Sequence, residues 1–417
     1  MAISQFDRLD RSGACVVYTL VMRPFLASLT FLLVVCSSNL HAADFVETFE
    51  GNHLHRDPVA RDGWAWMTGD GDAVMAFSQR EGMGIVEVDA RKDRRNIWWA
   101  LIRRSVTGNI DTTMLARPDR ELRVEAKVRS SAAPRRVNLH FNHSRTTDFH
   151  SHLMEFDIPV ANTWQVISMT TRGFDAQPGD DVFVQMALMD WGREQYRLDI
   201  DYVEVSVVDP ATAGQDLGEP LPYRPELPVA EEYAHRLVPQ QDGVVDTAWP
   251  QMNFKGWKNR GEADGRPLIV AGGSKIAVLR WNLEAFNGQA PRGWGVLELT
   301  TEQVYIADNG IEGADQLRVV EILGGSSDWT SETLSWNSLS ADQAVSEVIN
   351  SQMMIDISPN VQSGGKTRIA VSPPVLRRLF SGRAAGLAIH AQGAIQASFI
   401  TGQEGSTDGP VLYFNSD

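Results

Sequence analysis

Cysteine is nearly missing from this 417-residue chain: Cys15 and Cys36 are the only two, both close to the N-terminus. A chain processed beyond them has no disulfide framework and no thiolate chemistry. Its stability then has to come from burial. Helical periodicity is scarce, and no apolar run reaches the roughly twenty residues that carry a helix across a bilayer. No phosphate loop, dinucleotide fingerprint or nucleophile elbow occurs, which removes the nucleotide-dependent and serine-hydrolase classes. Positive charge is in deficit too, with 38 Lys and Arg against 53 Asp and Glu and a net charge of −15. A chain this acidic does not suit nucleic acid as a partner.

The N-terminal segment has the three parts of a secretory signal. Met22-Arg23 supplies the basic start, Pro24 to Val35 the apolar run, and Leu40-His-Ala-Ala43 the small-residue exit. The signal reads from Met22, which sets residues 1–21 apart as the product of a start placed too far upstream. Cleavage is expected after Ala42 or Ala43, so residues 1–42 leave, and the mature chain is secreted or periplasmic with no membrane attachment. Val35 sits where a lipoprotein signal has a small residue, which argues against a lipid anchor on Cys36. The leader removes three arginines and two aspartates, leaving 35 basic against 51 acidic residues and a charge of −16. The remaining length is enough for two domains, each with its own core.

Strand patterns dominate what remains. Leu122, Val124, Ala126 and Val128 alternate with Arg123, Glu125, Lys127 and Arg129. Val137, Leu139 and Phe141 alternate with Asn138, His140 and Asn142, and Val182, Val184, Met186 and Leu188 with Phe183, Gln185, Ala187 and Met189. Such period-two patterns predict strands with one buried face. Turns such as Gln177-Pro-Gly-Asp180 separate them. Residues 209–236, rich in Pro, Ala and acidic residues, predict a semi-extended linker. The expected fold is all-β: two β-sandwich (jelly-roll) domains, 43–208 and 237–417, joined by the 209–236 linker. In the second domain strands are predicted over 275–283, 295–306, 316–323, 352–357, 386–390 and 411–414. A short helix is expected near Pro374–Phe380, opened by the proline pair and closed by Gly382.

The second domain resembles the disaggregatase-related (DNRLRE-type) modules. The resemblance lies in Ile276-Ala-Val-Leu-Arg-Trp-Asn-Leu283, Leu317-Arg-Val-Val-Glu-Ile-Leu323, Trp329-Thr-Ser-Glu-Thr-Leu-Ser-Trp336 and the Val371 to Gly382 stretch. It implies a carbohydrate-binding or spacer module without a catalytic constellation. The first domain resembles carbohydrate-binding jelly rolls at its two ends, Phe49-Glu-Gly51 and Tyr196-Arg-Leu-Asp-Ile-Asp-Tyr-Val-Glu-Val205. That resemblance implies a structural calcium shared by Glu50 and Asp201, hard oxygen ligands suited to the ion. Solvated charges on edge strands are the plainer reading. No other cofactor is required.

In its middle the first domain resembles, in architecture, the jelly-roll polysaccharide lyases. Between Arg91 and Arg145 there are fourteen Lys and Arg against five Asp and Glu, an island of +9 in an acidic chain. Four of the nine histidines (His140, His143, His150, His152) fall within thirteen residues. The expected partner is an anionic, uronate-containing polysaccharide. The substrate-binding candidates are Arg123, Lys127, Asn138, Gln185, Arg94, Arg95 and Trp191, provided their strands line one sheet. β-Elimination needs a carboxylate neutralised, by Asn142 or Arg145, a base, His140 or His143, and an acid, Tyr196. Tyr196 shares parity with Leu198 and Ile200, which points it at the core instead. Two rival readings stand beside the lyase: a non-catalytic two-module carbohydrate-binding protein, and a metal-dependent hydrolase using His143, Asp148, His150 and His152 as zinc ligands.

Overall fold

The computed structural model describes residues 43–51, 54–55, 62–69, 72–92, 98–148, 151–190, 194–222, 227–255, 268–307, 316–350, 356–402 and 406–417. The expected signal segment lies outside them. Strands of the first sandwich are β1 (Phe45–Glu47), β2 (Leu54–His55), β3 (Trp64–Gly69), β4 (Val74–Arg80), β5 (Met83–Asp89) and β6 (Trp98–Ser105). After a short helix α1 (Thr112–Leu115) follow β7 (Glu121–Ser130), β8 (Arg135–His143), β9 (Leu153–Ile158), β10 (Gln165–Thr170), β11 (Val182–Asp190), β12 (Gln195–Val208) and β13 (Pro220–Pro222). One sheet runs β10-β7-β12-β5-β4, with β1 also on β12; the other runs β13-β9-β8-β11-β6-β3-β2.

The alternating sequence dictates what fills the space between them. Leu122, Val124, Ala126 and Val128 point inward from the first sheet, as do Leu198 and Ile200. Val137, Leu139, Phe141, Val184, Met186 and Ile102 meet them from the second. Because side chains alternate across a strand, the intervening polar residues must face outward on both sheets.

The second sandwich has its own core. Its strands are β14 (His235–Leu237), β15 (Gln241–Asp246), β16 (Leu268–Gly272), β17 (Lys275–Arg280), β18 (Gly295–Ile306) and β19 (Leu317–Ile322). Helices α2 (Trp336–Ser340) and α3 (Val345–Val348) precede β20 (Ile349–Asn350), β21 (Asp356–Ile357) and β22 (Lys366–Val371). Helix α4 (Pro373–Phe380) leads to β23 (Gly386–Ala391), β24 (Ile395–Ile400) and β25 (Val411–Phe414). β18 pairs with β22 and β25 along its first half and with β24 along its second, changing layer at a register break between Thr301 and Gln303. Leu297, Leu299, Ile369 and Phe414 of one layer meet Leu279, Val319, Ile389 and Phe399 of the other. Trp329, Leu334, Trp336 and Leu339 cover the outer side of the second layer. The all-β, two-sandwich expectation holds.

The described residues of 209–236 include a turn at 210–212 and a 3-10 helix, Ala230–Glu232, and are tied down at two strands. β13 adds to the free edge of β9 and β14 pairs with β25. An edge is where Pro220 and Pro222 can sit, since proline has no N–H to offer a further strand. Gly218, at φ +86°, brings the chain close over Phe156 and Ile167, where a Cβ would lie 3.0 Å from the Ile167 side chain. The sandwiches are joined by α4. Arg378 donates to Asp157 of β9 at 2.8 and 3.2 Å and to Glu321 of β19 at 2.7 and 3.1 Å, all three side chains being buried. Arg377 reaches Glu219 in the same seam.

His390 of β23 lies opposite Arg318 of β19. Burial, then the Arg318 charge, pushes its pKa down to about 4. A folded pKa below the unfolded value of about 6.5 means that the unfolded chain takes up the proton first as pH falls. This residue's contribution to stability should therefore be complete above pH ~6.5 and fade between ~6.5 and ~4. Urea melts of His390→Gln should show a flatter pH dependence over that interval than the parent; parallel profiles would contradict the assignment.

Candidate functional site

The structure separates the residues that sequence reasoning grouped. Arg123 and Lys127 lie on β7, on the outer face of the first sheet. Asn138, His140, Asn142 and Gln185 lie on the outer face of the second, across the sandwich. Arg123 is a rivet: it donates to Ser168 Oγ at 2.7 Å, Thr170 Oγ1 and the Gln215 carbonyl at 3.0 Å, and Asp216 at 3.2 Å. Lys127 donates to Asp201 at 2.7 Å. Tyr196 is 4 % exposed and packs in the core, with the Arg135 guanidinium 4.2 Å from its ring centre. It belongs to the first sheet and His140 to the second, so no acid–base pair forms between them.

The basic island is largely neutralised within the fold. Arg129 and Arg197 both hold Asp199, Arg136 pairs with Glu155, and Arg91 with Asp89. Arg145 grips Asp180 at 2.9 Å, an arrangement that raises the arginine's pKa and lowers the aspartate's. Most of these acids come from distant strands, invisible to a local charge count. The outer groove of the first sheet, about 590 Å³ and lined by Val74, Ala76, Glu87, Asp89 and Arg197, is likewise bordered by paired charges.

His143 is structural in this setting. Its Nδ1 accepts the Arg145 backbone N–H at 3.1 Å, and its ring lies 5.2 Å from Phe174. His152 packs on the same phenyl ring at 5.0 Å, and burial lowers its pKa. Among the described residues no three His, Asp or Glu side chains meet as a metal would require. Glu50 is exposed, and Asp201 is engaged by Lys127. Arg94, Arg95, His150 and Trp191 lie outside the described residues.

What the structure does assemble is the outer face of β6, β11 and β8. Strand register places three rows of side chains across it. Arg103, Gln185 and His140 form one row, Leu101, Ala187 and Asn138 the next, and Ser105, Phe183 and Asn142 the third. Neighbouring strands lie about 4.8 Å apart, so each row spans about 10 Å, the width of one to two sugar rings. These side chains are largely covered: Asn138 is 0 %, Asn142 2 % and Gln185 5 % exposed, with His140 and Arg103 half-buried. Both the oxygen and the nitrogen of the Asn138 and Asn142 amides are buried with no hydrogen-bond partner among the described residues. Arg103 lies over Phe183, its guanidinium carbon 3.6 Å from the ring centre. Sequence reasoning found the two asparagines, Gln185 and His140, and missed Arg103 and Phe183. The alternation of Leu101, Arg103 and Ser105 was the signal for Arg103, blurred by the unbroken apolar run before it.

No family model and no curated protein matches the chain. Among solved structures it is similar to a CBM4 structure at 17% identity, covering 39% of this chain and 97% of that one, with a TM-score of 0.29. It is also similar to the Family 11 Carbohydrate-Binding Module of a cellulosomal cellulase of Clostridium thermocellum. There the identity is 12%, the coverage 39% and 92%, and the TM-score 0.25. The CBM22-1-CBM22-2 tandem domain from Paenibacillus barcinonensis Xyn10C matches at 11% identity over 89% and 95%, with a TM-score of 0.24. These values assign no role to any residue.

Proposed function

We propose that the protein is an exported glycan-binding protein whose sugar site is the outer face of β6, β11 and β8, with the second sandwich as an accessory module. The observation that carries this reading is the pair of unpartnered, buried amides at Asn138 and Asn142. A buried polar group left unmade costs about 1–3 kcal/mol, and native folds keep very few of them. A sugar hydroxyl both donates and accepts, so a ring laid along these rows offers a partner to an amide oxygen and an amide nitrogen alike. Binding without turnover is the form we favour, because Tyr196 and His140 belong to opposite sheets.

The test is a panel of neutral and acidic polysaccharides, scored for binding by affinity electrophoresis and for new absorbance from unsaturated uronate. Binding with no rise in absorbance is expected. A rise would select the lyase, and no binding to any glycan would defeat the proposal. Salt gives a further expectation. With most of the described island arginines paired to carboxylates and the mature chain strongly acidic, little long-range field draws a polyanion in. Raising ionic strength should therefore change Kd by less than about threefold. A steep loss of affinity with salt would show that free cations elsewhere on the surface do the binding.

A further inference from the structure

Arg103 is set apart from the other island arginines described here. Arg91, Arg104, Arg117, Arg120, Arg123, Arg129, Arg135, Arg136 and Arg145 each have a carboxylate in ion-pair contact. Among the described residues Arg103 has none. Its Nε is buried without a partner among the described residues, and its guanidinium lies over the Phe183 ring. The charge of Asp181 reaches it only from outside ion-pair contact. Burial pushes its pKa down, the direction expected of a cation that has given up water without gaining an anion. Its place over the ring offsets part of that penalty.

Its place in the fold turns this deficit into a specificity. Arg103 stands in one row with Gln185 and His140, beside the unpartnered Asn138 and Asn142. We propose that Arg103 binds the carboxylate of an acidic sugar residue while the asparagines hold ring hydroxyls of the same chain. This deepens the glycan-binding reading and rests on it. The guanidinium edge offers two parallel N–H groups, the geometry that a planar carboxylate accepts. Recognition is then local and desolvated, and it does not depend on the paired charges of the island.

The experiment compares one uronate oligosaccharide with the same oligosaccharide after its carboxyls are reduced to alcohols, by calorimetric titration. The parent protein should bind the uronate about 10- to 100-fold more tightly than the reduced form, the range of a hydrogen bond to a charged group. Arg103→Gln should erase that preference, weakening the uronate at least tenfold more than the reduced form. Arg103→Lys should recover part of it, since charge returns without the fork. If the parent binds both forms equally, or if Arg103→Gln weakens both equally, the carboxylate role is overturned while the glycan site stands. A sulfated, uronate-free polymer that bound as tightly and with the same Arg103 dependence would also overturn it. Binding of neither form would remove the glycan reading and this inference together. The comparison on the parent protein needs no variant to fold.

Discussion

Arg378→Met should destabilise the protein by about 3–5 kcal/mol, the penalty for leaving buried carboxylates without their counter-charge. Arg378 bridges Asp157 and Glu321, and all three side chains are buried. Burial opposes the arginine's charge, but Glu321 and then Asp157 more than offset that and raise its pKa. Burial raises the pKa of Glu321, against the opposing pull of Arg378. Removing the cation strands one carboxylate in each sandwich at the seam where they meet. Urea unfolding should show the loss, and Asp157→Asn with Glu321→Gln in the Arg378→Met background should recover much of it, since neutral amides no longer need the cation. A single variant within about 1 kcal/mol of the parent would mean that water reaches the seam and screens the charges.

The second large effect is on binding. Asn138→Ala with Asn142→Ala should weaken glycan affinity by about 100-fold, some 2.7 kcal/mol for two sets of ring-hydroxyl hydrogen bonds. Stability should stay level or rise, because these amides have no partners among the described residues and removing them removes a desolvation penalty. The opposed signs separate a ligand-facing role from a structural one. A structural pair would lose stability on truncation and would leave affinity in the molecules that still fold unchanged.

Much of the architecture was legible from alternation alone. Leu122, Val124, Ala126 and Val128 read as one buried face and are fully buried, and Val137, Leu139 and Phe141 likewise. The strands Gly295–Ile306 and Val411–Phe414 fall where their sequence predicts, because turn residues bound each run. The parity of Tyr196 with Leu198 and Ile200 correctly placed it in the core. Alternation tells which side of a strand a residue occupies, but not which strands share a sheet. β7 and β8 are consecutive, yet β7 pairs with β10 and β12 while β8 pairs with β9 and β11. The expected groove of Arg123, Lys127, Asn138 and His140 was therefore split between two outer faces. Charge was misleading for the same reason. The acids that neutralise Lys127 and Arg129 come from β12, some seventy residues away. Arg103 became visible only when those long-range pairings left it without a carboxylate.

The most direct test of the sugar site is a crystal structure of residues 43–417 with an oligosaccharide from the best-binding polymer. The geometry predicts sugar hydroxyls within hydrogen-bond distance of both the Asn138 and Asn142 amides, on the face formed by β6, β11 and β8. An oligosaccharide seated instead in the groove of the first sheet beside Glu87 and Arg197, or on the second sandwich, would contradict it.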